Sequence, residues 1–129
     1  MKIRQGFVTN SSSTSYTIVI KGGLDNADVI YRNHGFTSKE FRALIKVLES
    51  SEGDTDVYKV IADSDETLKK YLEDRLRWYD ESEVIDVVEY HNKGYAIYHK
   101  NISYHDPDLS DKLKKLCVGE EIKIIDADG

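Results

Sequence analysis

Three histidines, His91, His99 and His105, fall within the stretch EYHNKGYAIYHKNISYHD. Imidazoles hold a transition metal when two or more share a face with a carboxylate or thiolate. In the hairpin register expected below, His91 and His99 do share a face with Glu89, but four positions apart along the ladder. That spacing gives a polar hairpin surface and no metal site. The single Cys117 has no partner thiol and sits at the end of an apolar helical stripe, so it reads as a small buried hydrophobe. Asp126-Ala127-Asp128-Gly129 begins like a Ca²⁺ loop, but the further ligands are missing. The sequence holds no GxxxxGK[ST], GxGxxG or GxSxG pattern, which leaves the common nucleotide and acyl-transfer sites unsupported. The densest acidic group is Asp63-Ser64-Asp65-Glu66-Thr67, directly after an apolar run. As local structure it is a strand leaving into a helix: Ser64 caps, and Asp65 and Glu66 lie at the positive end of the helix dipole.

The chain that must position these groups has 129 residues, the size of one domain able to bury a core without disulfides or metals. No apolar run approaches the roughly 20 residues that span a bilayer, and no apolar stretch follows the basic start, so neither a membrane segment nor a signal peptide is expected. A cytosolic location follows as the expectation, and one cysteine is compatible with it. The net charge of −6 is unevenly spread. Residues 1–21 carry Lys2, Arg4 and Lys21 and no acid, whereas Glu49 to Glu89 holds 14 acids against five basic residues. Such a surface repels phosphate backbones and anionic membranes, so no nucleic-acid or membrane partner is expected, and a basic protein partner suits it.

Residues 8–16, VTNSSSTSY, are rich in short polar side chains that compete with their own backbone for hydrogen bonds, and residues 1–14 are expected to form a flexible or extended arm. The body, 15–129, reads as a single α+β domain. Ser15–Lys21 is a strand ending at Gly22-Gly23, and its unbroken Ile18-Val19-Ile20 places it centrally in the sheet. Thr37-Ser38-Lys39-Glu40 is a capping box, Phe36 and Phe41 stand as a hydrophobic staple, and Phe41, Leu44, Ile45 and Leu48 form one apolar helical stripe. Val57–Ala62 is the next strand, and Leu68, Tyr71, Leu72, Leu76 and Tyr79 line the next helix. A hairpin is expected around Asn92-Lys93-Gly94, with Asp86 opposite Lys100 and Val88 opposite Tyr98. A short helix capped by Asp108 and a last strand, Glu120–Asp126, complete the order β-α-β-α-β-β-α-β. This order implies a mixed sheet with helices packed on it. Nine tyrosines, among them Tyr16, Tyr31, Tyr90, Tyr95, Tyr98 and Tyr104, offer material for a protein-binding face.

Two stretches resemble known families. Asp63-Ser64-Asp65-Glu66-Thr67 after its apolar run resembles the hhhDxDxT motif of haloacid-dehalogenase-type phosphohydrolases. That resemblance implies Asp63 as nucleophile and Asp65 as general acid, beside a Mg²⁺ that neutralises the phosphate. Those enzymes carry further motifs on a larger fold. The N-terminal Lys2-Ile3-Arg4-Gln5-Gly6-Phe7-Val8-Thr9-Asn10-Ser11-Ser12-Ser13-Thr14-Ser15-Tyr16 resembles the K-x-R-x-G-F-V-S-N-S-S-S-S-S-F opening of small uncharacterised proteins of bacteriophages and bacteria. Thr9, Thr14 and Tyr16 depart from it conservatively. This second resemblance implies a phage or mobile-element type of source and a bacterial host cytosol, and assigns no catalytic residue. The arm then reads as a recognition or processing tag, with Phe7, Asn10, Ser11, Ser12, Ser13 and Tyr16 as its binding residues. Taken together, the expected function is a non-catalytic protein-binding accessory factor with no cofactor and no metal. The alternative is a small Mg²⁺-dependent phosphohydrolase using Asp63 and Asp65.

Overall fold

The computed structural model describes residues 13–52, 55–76 and 81–128. The arm residues 1–12, including Phe7, Asn10, Ser11 and Ser12, lie outside the described residues, as do Trp78 and Tyr79. Strand β1 (Ser13–Lys21) is followed by a 3-10 turn (Leu24–Asn26), α1 (Ala27–Asn33) and α2 (Ser38–Glu49). Then come β2 (Lys59–Ala62), α3 (Asp65–Leu76), α4 (Glu81–Asn92), β3 (Tyr95–Ser103), α5 (Pro107–Lys115) and β4 (Ile122–Asp128). The class is α+β, with helices packed on a four-stranded sheet of order β2-β3-β1-β4.

The central place of β1 follows from its apolar run. Ile18, Val19 and Ile20 have no exposed surface, and β1 pairs with β3 from Ser13↔Ser103 to Lys21↔Tyr95 on one side and with β4 on the other. Every pairing is antiparallel, so the sheet is not the mixed one expected. β1 and β2 do run the same way, but β3 inserts between them, and the parallel pair never touches.

Side chains alternate across a strand, so one face of the sheet carries Tyr16, Ile18, Ile20, Tyr98 and Ile102, and the other carries Val19 and Ile97. The first face packs against Ile30 and Tyr31 of α1, Leu44, Val47 and Leu48 of α2, and Leu113 of α5. The second packs against Tyr71 of α3 and Val87 of α4. The result is a sheet between two helical layers.

Helix α2 begins at the expected N-cap, Thr37, though with bonds other than the reciprocal pair of a capping box. Thr37 is extended at the N-cap, its Oγ1 accepts from the Lys39 N–H at 3.2 Å, and it donates to the Glu40 carboxylate at 3.1 Å. Phe36 meets Tyr31 edge-on at 6.1 Å. The third predicted helix is capped by Asp106, not Asp108: its Oδ1 accepts from the Leu109 N–H at 3.2 Å, and Pro107 takes the first helical position, where a missing N–H costs nothing.

The larger correction concerns the expected hairpin. Residues 81–92 form α4, not a strand. Val84, Val87, Val88 and His91 recur at helical spacing, and burial of Val87 against Val19 and Ile97 overrides the strand preference of three valines and an isoleucine. Gly94 does adopt the left-handed region, at φ 91, but it ends a helix there: its N–H donates to His91 O at 3.0 Å. The register that put Asp86 opposite Lys100 is thereby lost; Lys100 pairs with Tyr16. α1 is an addition that the sequence reading lacked. No helix among the described residues is long and apolar enough to cross a membrane.

Candidate functional site

β1 and β2 point the same way, so the loops that leave them meet at one end of the sheet, on either side of β3. There, Gly22, Gly23, Leu24 and Asp25 after β1 face Tyr58, Val60 and Asp63 of the β2 segment, with Tyr98 of β3 as the floor. They enclose an open cleft of about 250 Å³.

A Gly-Gly corner forms part of the first wall. Gly23 has φ 87 and ψ 177, a conformation essentially confined to glycine, and Gly22 at φ 78 packs so closely on Asn26 that a Cβ would fall 2.7 Å from its Nδ2. Asn26 Nδ2 in turn donates to Lys21 O at 2.9 Å, which fixes the turn. Tyr98 is 4% exposed, and its ring meets Tyr58 edge-on at 5.7 Å. Its hydroxyl oxygen accepts from the Leu24 N–H at 2.9 Å. Burial pushes the Tyr98 phenol above its usual range; the Leu24 N–H opposes this, and the negative charges of Asp63 and Asp25 add to it. The charged residues lining the cleft are both acids, Asp25 and Asp63.

Asp63 is also part of the loop into α3. Thr67 Oγ1 accepts from the Asp63 N–H at 2.8 Å and the Ser64 N–H at 2.9 Å, and donates to Asp63 Oδ1 at 2.9 Å. Ser64 Oγ accepts from the Thr67 N–H at 3.2 Å. These bonds satisfy helix N-terminal donors, as the cap reading of Asp63-Ser64-Asp65-Glu66-Thr67 requires. Asp65, one helical position on, is exposed, and its Oδ1 lies 2.9 Å from His91 Nε2 at the end of α4. The two carboxylates are thus engaged with different neighbours. Among the described residues, no three His, Cys, Asp or Glu side chains are arranged to hold a metal ion.

The remaining predicted residues scatter. Ser13 begins β1 opposite Ser103, half-buried. Tyr16, expected among the arm's binding residues, is 3% exposed in the main core, a correction that follows from the strand beginning at Ser13 and pointing Tyr16 inward. Tyr31 is buried too, donating to Leu116 O at 2.5 Å, so the expected tyrosine face is largely core. Tyr90 and Tyr95 are half-buried and meet edge-on at 5.2 Å, and only Tyr104 of that group is exposed. His99 lies on β3 opposite Thr17, whereas His91 is on α4. Cys117 is half-buried, and burial pushes its thiol up to about 11.

Sequence reading missed Asp25, Tyr58 and Tyr98 as members of one site. Gly22-Gly23 followed by an acid was the local signal available; the rest is assembled by strand pairing.

One further residue escaped. Lys100 sits on the apolar face of β3 between Tyr98 and Ile102 and is fully buried. Its ammonium donates to Leu48 O at 2.9 Å, to Ser50 O at 2.6 Å and to Asp56 O. It thereby closes the C-terminal end of α2 and the loop before β2, where a cation complements the helix dipole. No protein-family model, curated protein or solved structure matches the chain.

Proposed function

We propose that the protein is a non-catalytic accessory factor that binds a basic protein partner in the cytosol, with the cleft between the β1 and β2 ends as its contact site. The observation that carries this reading is the lining of the cleft: two carboxylates, Asp25 and Asp63, beside the two tyrosines Tyr58 and Tyr98. Carboxylates attract a cationic side chain, and aromatic rings add apolar contact and a negative face to the same group. The volume supports a side chain as the occupant, because pockets for drug-sized ligands run from about 300 to 1,000 Å³ and bury most of the ligand. Exposed Val57 and Val60 border the same edge of the sheet and supply apolar contact around it.

The phosphohydrolase reading gains no comparable observation, since Asp63 and Asp65 are engaged with different neighbours, Thr67 and His91. Panning a random-peptide display library on the full chain tests the proposal. Enrichment of sequences with net positive charge, released by moderate salt and weakened by Asp25→Asn with Asp63→Asn, is the expected result. A library that yields no basic consensus, or one indifferent to the paired substitution, overturns it.

A further inference from the structure

The cleft offers more than negative charge. Tyr98 is almost wholly buried, its oxygen already accepts from the Leu24 N–H, and no acceptor for its own proton is found among the described residues. A group that fills the cleft and displaces its water therefore meets two carboxylates, which accept, and one phenolic proton, which needs an acceptor. A bare cation answers the first demand and leaves the second unmet. A basic residue within a peptide answers both, because its side chain is a donor and its backbone carbonyl an acceptor.

The two acids come from different loops, Asp25 after β1 and Asp63 after β2, and Tyr58 lines the same cleft with its ring edge-on to Tyr98. A guanidinium is planar, carries five donors spread in a fork and stacks on an aromatic face, so it can bridge two carboxylates while lying against a ring. An ammonium concentrates its charge at one point and keeps its hydration more strongly. Asp63 is also held in place by its bond from Thr67, so one of the two acceptors is oriented before any ligand arrives.

Resting on the reading of the cleft as a contact site for a basic partner, we propose that it is an arginine-anchor pocket. The guanidinium of one partner arginine lies between Asp25 and Asp63 against Tyr58, and a peptide carbonyl of the same segment accepts from Tyr98.

Three capped pentapeptides that differ only in a central arginine, lysine or citrulline test this by titration against the full chain, followed through amide chemical shifts. Citrulline keeps the shape of arginine and removes the charge. The arginine peptide is expected to bind at least about tenfold more tightly than the citrulline peptide and several-fold more tightly than the lysine peptide, with shifts centred on Gly23, Asp25 and Asp63. Asp25→Asn with Asp63→Asn abolishes the preference over citrulline, while Tyr98→Phe weakens all peptides without changing their order. Equal binding of arginine and lysine peptides, lost in the paired variant, overturns the guanidinium anchor and leaves the acidic contact site standing. Binding that is indifferent to the paired variant overturns the anchor by placing the peptide elsewhere. Failure of all three peptides to bind overturns both. Unchanged amide spectra away from the substituted positions show that the variants remain folded.

Discussion

Lys100 shows how one residue can fasten a loop across the fold. Burial pushes its ammonium down to about 8, against the pull of the Asp56 carboxylate. The unfolded chain keeps this proton up to about 10.5, the folded chain releases it earlier, and so between those values the unfolded state binds more protons. The contribution of Lys100 to stability therefore rises with pH across the window from about 8 to 10.5. Lys100→Met removes the three donations and is expected to cost about 2 kcal/mol or more at pH 7, because carbonyls at the end of α2 lose a charged partner. Denaturant unfolding of both proteins at intervals from pH 7 to 10.5 checks this: the gap between them should widen above pH 8, and a constant gap contradicts the assignment. A lysine in the apolar alternation Ala96, Tyr98, Lys100, Ile102 was a legible signal, since a charge on a core face requires partners. Its partners were not legible, because Leu48, Ser50 and Asp56 approach only after α2 has packed. The cleft follows the same rule. Asp63 could be singled out from its neighbours in sequence, whereas Asp25, Tyr58 and Tyr98 are joined to it by the register of β3 between β1 and β2.

At the scale of elements, local chemistry was readable where it had one solution. Thr37 with Glu40 marks the start of α2, and Ile18-Val19-Ile20 marks a strand buried on both faces. It failed where two periods fit the same letters. Val84 to His91 satisfies both alternation and helical spacing, and Gly94 serves equally as a hairpin residue or a helix stop. Packing of Val87 on Val19 and Ile97 decides for the helix. Gly94→Ala tests that ending directly. Nothing lies within 4 Å of a Cβ there, so the cost is purely the left-handed backbone, about 1–2 kcal/mol. Thermal unfolding followed by far-UV circular dichroism should show this loss with unchanged helix content at low temperature. A neutral substitution would mean that residue 94 does not need its positive φ.

For the whole molecule, the sheet separates two hydrophobic cores that share only its thickness. Leu44 belongs to one and Val87 to the other. Leu44→Ala is expected to cost about 2–5 kcal/mol, and Val87→Ala somewhat less because fewer methyl groups are removed. Because the two residues belong to separate clusters on opposite faces of the sheet, the two losses should add to within about 0.5 kcal/mol in the double variant, measured by urea unfolding. A larger coupling would show that strain passes through β1 from one layer to the other.

The pairing of β1 also sets a constraint in time. Ile18 is opposite Tyr98 on one side and Ile124 on the other, so both neighbours of the first strand are made last. During synthesis, which runs at about 5–20 residues per second, β1 must wait for several seconds with an apolar run and two open edges. α1 and α2 can gather on it early, but no sheet can close around it until the chain has reached β4. A nascent chain exposed only as far as α5 would therefore hold a central strand that still has one vacant side. Such chains should engage hold-type chaperones until β4 emerges.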